Sequence, residues 1–303
     1  MAGHVRSGII VQGPPARVPV RSERAGDVAI YAALTAFCLA VLYPFFYTVI
    51  NSLNANLPFG PAFLWPTRWT LTNYRVVFRD PNLAGAFSVT VARTLVGVVL
   101  VTGNCAMAGF ALRKKRLTFR KLYLAILLIP VFFQGGLIPT YLNYRRLGLL
   151  DSFLVFIIPQ LFAFFYLVIF MSGFDDIPDS LEESAKMDGA GYFRIFVRIY
   201  LPLALPILAT ISLFEGVAQW NSWFDSVYFT NSPALMTLPA LLVRVVKGGE
   251  VEDFLRDPEA YQMQNPEGIK LATMVVAVLP ITLAYPFLQG YFIKGLTLGS
   301  LKG

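Results

Sequence analysis

The chain has 303 residues, 56% of them hydrophobic and only 14% charged, with a mean hydropathy of +0.61. That balance excludes an ordinary soluble domain and predicts an all-α membrane protein, and at roughly 20 apolar residues per span the length holds six transmembrane helices. The net charge of +7 is spread over loops in the manner of the positive-inside rule, so the bilayer rather than nucleic acid is the expected partner.

Residues 1–27 are polar and basic and read as a cytoplasmic tail without a signal-peptide cleavage pattern, so the first span is expected to be retained. The tail holds His4, the only histidine, which argues against histidine-based metal sites or acid–base chemistry. Residues 28–303 are read as one six-span domain, with spans at about 28–50, 87–112, 122–137, 152–171, 203–223 and 269–293. Outer loops are expected at 51–86, 138–151 and 224–268, and the last includes a short interfacial helix from Ala240 to Val246. Tyr43, Phe45, Phe46 and Tyr47 form an aromatic belt on the first span, and Gly97, Ala106 and Gly109 in the second let helices approach closely. Cys38 and Cys105 fall within spans and read as small buried hydrophobes. Fifteen of the 25 Lys and Arg residues fall in the proposed cytoplasmic pieces and eight in the outer ones. The basic run 113–121 dominates that bias, which places both termini inside.

Between spans four and five lies the most polar interior run, residues 175–202. Its first half reads as an amphipathic helix with Ile177, Leu181, Ser184 and Ala185 on one face and Asp179, Glu182 and Lys186 elsewhere. Ser180-x-x-Glu183 has the form of a capping box, with Asp176 as an alternative cap. Gly189 and Gly191 stop the helix. A second helix follows, with Phe193, Phe196, Val197 and Tyr200 on its apolar face, making a cytoplasmic helix-turn-helix.

Glu183-Ser184-Ala185, three residues, Gly189, nine residues and Ile199-x-Leu201-Pro202 resemble the EAA loop of ABC importer permeases, with Ser184 in place of an alanine. The words Glu182-Glu183 and Asp188-Gly189-Ala190, and the outer phrase Thr70-Leu71-Thr72-Asn73-Tyr74, are similar to the carbohydrate branch of that family. The Trp220–Asp225 phrase and the long last outer loop are similar to its permeases for oligosaccharides and acidic glycans. The resemblance implies that 175–202 is a coupling loop docked on a cytoplasmic ATPase. Glu183 would face a basic residue of that ATPase, Ser184 and Ala185 would permit close packing, and Gly189 would supply the turn. It further implies a second homologous permease subunit, two copies of a P-loop ATPase that bind ATP and magnesium, and an extracytoplasmic solute-binding protein. The setting would be the inner membrane of a prokaryote.

The chain itself contains no G-x-x-x-x-G-K-[ST] phosphate loop and no nucleophile-plus-base arrangement, so neither an ATPase site nor a bound cofactor is expected within it. Polar residues inside spans are candidates for a translocation path. Glu215, Gln219 and Ser222 recur along one helical face, followed by Trp220, Asn221, Trp223 and Asp225. Aromatic faces beside amides and carboxylates suit a sugar; equally, the tryptophans suit the interfacial belt and Glu215 a pairing with Arg93. An ion-gradient-driven transporter is the alternative class, resting on Glu215 as an intramembrane ionisable group.

Overall fold

A computed structural model describes residues 20–55, 65–133, 135–256 and 265–300. The tail through residue 19, including His4, and the loop stretches 56–64 and 257–264 lie outside the described residues. The chain divides into two compact units, residues 1–47 and 48–303. What is described of the first is helical, the body of α1 (Val20–Ser52), with Tyr43 and Tyr47 rings 6.3 Å apart. Cys38 is exposed on this helix, against the expectation of burial.

The second unit contains α2 (Thr72–Arg79), α3 (Pro81–Leu112), α4 (Arg120–Phe132), α5 (Leu137–Arg146), α6 (Phe164–Asp175) and α7 (Asp179–Met187). These are followed by α8 (Tyr192–Ile195), α9 (Leu201–Leu203), α10 (Leu205–Asn221), α11 (Phe224–Phe229), α12 (Leu238–Arg256) and α13 (Pro266–Ser300). The expected interfacial helix at 240–246 is thus part of the longer α12. Among the described residues the only β pairing is an isolated Asn54–Trp69 bridge, so the protein is all-α.

Among the described residues three stretches are long and apolar enough to cross a membrane: Gly26–Ser52, Pro81–Leu112 and Pro266–Leu283. Two bent pairs raise the number to as many as five. They are Phe153–Gln160 with Phe164–Asp175, bent by 50°, and Tyr192–Leu203 with Leu205–Asn221, bent by 83°. The fourth expected span is therefore broken, with two short 3-10 turns, Phe153–Phe156 and Ile158–Gln160, the second containing Pro159, in place of its first half. The sharper bend has a covalent cause. Pro206 has no N–H to donate to the carbonyl of Pro202, and its ring crowds that carbonyl, so the helix cannot run through Ala204. The third expected span, 122–137, is helical only as the 13 residues of α4, about 20 Å against the roughly 30 Å of a bilayer core. None of its residues is buried, and Ile126, Ile129, Val131 and Phe132 are exposed. Such a face is costly in water and costs nothing in lipid.

α3 is the axis of this unit. Asp80 caps it, accepting from the Asn82 N–H at 2.8 Å, with Pro81 at its first position. It packs against α6 and α10. Val101, Cys105, Ala106 and Phe110 of α3 form one buried cluster with Phe170, Phe174, Ile177, Ile195, Phe196, Tyr200 and Ile211. On the other side, the Thr70–Tyr74 phrase acts as a clamp. The Asn73 amide donates to the carbonyls of Ser52 (2.8 Å) and Asn54 (3.1 Å), and the Tyr74 and Ser52 hydroxyls are 2.6 Å apart. Asn265, at the head of α13, donates to the same Asn54 carbonyl at 2.8 Å.

Gly97 is where α3 meets α10 most closely: a Cβ there would lie 2.8 Å from the Gln219 side chain. Gly97→Val is expected to wedge the two helices apart and cost about 1–3 kcal/mol, measured as a lower midpoint of thermal unfolding in detergent. An unchanged midpoint would mean that this contact does not set the helix spacing.

Candidate functional site

Two polar assemblies are fixed by α3, one at each end. The first joins the basic C-terminal end of α3 to the loop 175–202. α7 begins at Asp179 with Pro178, not Asp176, at its N-cap position, and the Ser180/Glu183 box is not formed. Gly189 takes φ +77°, and the Ala190 N–H closes back on the Ala185 carbonyl at 2.9 Å, the helix ending that glycine permits. Gly191 is the N-cap of α8, which passes into a π-helical turn over 196–200 before Leu201–Leu203.

The faces differ from the simple amphipathic reading. Glu182 is 6% exposed, while Leu181 is 42%, Met187 89% and Phe193 73% exposed. The π turn inserts one residue into the helical count. The buried set is therefore Ile195, Phe196 and Tyr200, and Phe193 and Val197 face outward. Ala185 and Ile199 pack against the α3 cluster. Glu183, Ser184, Asp188, Gly189 and Pro202 lie exposed around the turn.

What holds Glu182 inward comes from α3 and was not visible in the loop's own sequence. Lys114 Nζ donates to Glu182 Oε1 at 3.0 Å and sits 3.5 Å from the centre of the Tyr192 ring; Lys186 Nζ reaches the same oxygen at 2.7 Å. The Tyr200 hydroxyl donates to Glu182 Oε2 at 3.2 Å. Arg113 donates to the Tyr200 hydroxyl (2.5 Å), the Phe174 carbonyl (2.7 Å) and the Asp179 carboxylate, with its guanidinium 4.8 Å from the Tyr200 ring centre. In the sequence the run 113–121 marks topology; the one signal that singles out its first two residues is their place just beyond the last turn of a long helix.

Burial pushes the Glu182 carboxyl up, but hydrogen bonds and charge from Lys186 and Lys114 outweigh it and hold the group at about 2 rather than the ordinary 4.5. Because the folded value is the lower one, the ionised form's contribution to stability is complete above about pH 4.5 and is lost as pH falls towards 2. Glu182→Gln is expected to lower stability at neutral pH by about 1.5–3 kcal/mol and to flatten the acid dependence in that window. Unfolding followed against pH checks both; an unaltered acid limb would show that Glu182 does not carry it.

The second assembly contains the polar stripe of α10. Arg93 of α3 is completely buried and forks onto Asp225 at 2.7 and 3.2 Å and onto Gln219 Oε1 at 3.0 and 3.1 Å, with a further bond to the Ser222 carbonyl at 3.3 Å. The Gln219 amide donates to Gln160 and Glu215, both at 2.8 Å, and Gln160 and Ser222 donate to Asp225 at 3.2 and 2.6 Å. Glu215, Gln219 and Asp225 are therefore brought together as one buried network with Arg93, whose charge is met directly by Asp225 and reaches Glu215 through Gln219. The other three members of the stripe stand apart. The Trp220 indole N–H donates to the Ala277 carbonyl at 3.3 Å, the Asn221 amide to the Val217 carbonyl at 3.0 Å, and Trp223 packs on Phe224 and Tyr228.

Asp225→Ala leaves Arg93 as an uncompensated buried charge and is expected to cost about 3–5 kcal/mol, much of which replacing Arg93 by Leu in the same molecule restores. Thermal unfolding of the single and double variants checks this; an unchanged midpoint in the single variant would show that the pair does not hold this joint.

Among the described residues no group of His, Cys, Asp or Glu is arranged to hold a metal ion.

The family model described as "Binding-protein-dependent transport system inner membrane component" matches residues 105–298. Protein LplC of Bacillus subtilis is 34% identical over 285 residues, covering 93% of this chain and 97% of that protein. The polygalacturonan/rhamnogalacturonan transport system permease protein YtcP of the same organism is also 34% identical over 285 residues, covering 93% and 99%. Among solved structures, one chain of a bacterial ABC transporter involved in the import of the acidic polysaccharide alginate superposes with a TM-score of 0.84 at 28% identity, covering 91% of this chain and all of that one. A loop that turns apolar side chains outward at the end of the central helix, in a chain matched over nearly its whole length, leads to one assignment: this chain belongs to the family of inner-membrane permease components of binding-protein-dependent transport systems.

Proposed function

We propose that the chain is one of two homologous permease subunits of an ATP-driven importer for an oligosaccharide or related glycan, coupled through α7 and α8 to a separate ATPase. In this reading six spans place both termini in the cytoplasm, α4 with the segment after it supplying the span that composition alone does not give. Two P-loop ATPase copies bind ATP and magnesium below the membrane, and a solute-binding protein delivers the glycan from outside. The glycan class is supported by the relatives' own substrates, polygalacturonan and rhamnogalacturonan for one and alginate for another.

The observation that carries the coupling role is the inverted polarity of α7. A carboxylate is held inside by two lysines while Leu181, Met187, Tyr192 and Phe193 stand in the open. Exposed apolar side chains on a short polar helix are a docking face. Glu183, beside them and exposed, is placed to meet a basic residue of the ATPase, and Ser184 keeps the surface low. Motion of the docked helices then reaches the membrane through Arg113 and Lys114, which bind α7 and α8 to the end of α3. ATP-driven closure of the ATPases favours one of two arrangements of the helix bundle. The alternative of an ion-gradient transporter has the buried cluster of Arg93, Asp225 and Glu215 in its favour and family membership against it.

Affinity purification of the tagged chain from membranes in mild detergent is expected to bring down a P-loop ATPase and a second permease with the same loop. Recovery of the chain alone would sink the reading. Gly189→Val, with a β-branched side chain forced into the left-handed region at a cost of roughly 1–2 kcal/mol, is expected to leave a complex that hydrolyses ATP without importing glycan. Gly189→Asp should be milder, because Asp tolerates that region better. Normal uptake by the valine variant would show that the turn is not needed for coupling.

A further inference from the structure

A cleft of about 390 Å³ opens between α11, the turn after it and the first half of α12. Its volume lies in the range of small-molecule sites. The floor is apolar, from Val227, Met236 and Val243, and Arg244 and Lys247 stand on its rim.

Those two cations are three residues apart on one helix, an arrangement in which like charges repel. Both are exposed, and neither has an ion-pair partner among the described residues. Lys247 Nζ lies 5.7 Å from the centre of the Trp223 ring, which holds it over an aromatic face. Across the cleft the backbone N–H groups of Asn231 and Ser232 are committed to Asp151 Oδ1, at 3.0 and 2.8 Å. That carboxylate fixes the turn, while the side-chain amide of Asn231 and the hydroxyl of Ser232 hold no partner among the described residues and remain on the cleft rim. Asp225, adjacent to the lining residue Ser226, is already neutralised by Arg93. The cleft thus combines an apolar floor, an aromatic ring at one side, and hydroxyl, amide and two cationic groups that hold no hydrogen-bond or ion-pair partner among the described residues.

We infer that this cleft is a subsite for a carboxylated sugar unit of the imported glycan, with its carboxylate between Arg244 and Lys247 and its ring hydroxyls towards Asn231 and Ser232. A carboxylate accepts from both cations at once and removes their mutual repulsion, and the apolar floor receives the C–H face of the ring. A neutral sugar gains only the latter. The subsite therefore discriminates by charge. The inference rests on the glycan-import reading given above and adds to it a specific acidic class and the residues that select it.

The test uses the complete importer with its binding protein, reconstituted in proteoliposomes. The probes are a galacturonic acid trisaccharide and its carboxyl-reduced, neutral counterpart. Wild-type complex is expected to import the acidic trisaccharide at least about tenfold faster, and the Arg244→Gln/Lys247→Gln double variant to lose about tenfold of that rate while importing the neutral one unchanged. An equal loss for both sugars, or weaker retention of the binding protein, would assign the surface to protein docking and overturn the subsite. Loss of the second permease on purification would make it a subunit interface and overturn it likewise. Unchanged acidic import by the double variant would overturn the subsite and leave glycan import standing, whereas failure of the wild type to import either sugar would overturn both.

Discussion

The fold's functional end depends on one constraint: Glu182 cannot leave the protein interior without stranding Lys114. The carboxylate takes Lys114, Lys186 and the Tyr200 hydroxyl, and Tyr200 in turn takes Arg113. Each partner is held by a second group. Lys114 also faces the Tyr192 ring, and Arg113 also binds the Phe174 carbonyl and Asp179. The consequence is steric as much as electrostatic. With Glu182 fixed inward, helical geometry turns Leu181 outward, and the glycine turn at 189 presents Tyr192 and Phe193 beside it. A polar anchor inside leaves an apolar face exposed outside.

The same helix, α3, carries a second polar anchor at Arg93. That guanidinium bonds to α10 through Gln219 and, through Asp225, to the segment that begins α11, so the break between those helices is closed by a buried ion pair rather than by packing. Gly97 lets Gln219 come close enough to take part. Buried pairs of this kind contribute little net stability and strongly penalise the loss of one partner. They suit a joint that must be occupied in one arrangement only. α3 therefore connects the loop 175–202 at one end to the joint of α10 and α11 at the other. The cleft beside Trp223 lies directly beyond that joint.

Much of this was legible in the sequence, and what was not has physical reasons. The all-helical class, the second and last long apolar helices, the glycine turn at 189 and the helix 179–187 follow from composition, periodicity and local backbone chemistry. The orientation of that helix did not follow, because a helical wheel assigns apolar residues to the protein's own core, and here the apolar face is left for another surface. Beside the π turn at 196–200 the buried residues are Ile195, Phe196 and Tyr200, a set that no 3.6-residue count reveals. Of the polar stripe, the spacing of Glu215 and Gln219 is visible, but the bond from Arg93 to Gln219 spans 126 residues of chain. The sharper bend depends on Pro206, whose effect is set by the carbonyl it faces and not by its presence alone.

The most direct test of the account is the number of ATP molecules hydrolysed per glycan imported by reconstituted complexes carrying Arg113→Gln. Transmission through the end of α3 predicts that the complex assembles and hydrolyses ATP but that this number rises several-fold, with Arg113→Lys recovering part of the loss. An unchanged number, in a complex of normal stability, would contradict the claim that α7 and α8 act on the membrane helices through this anchor.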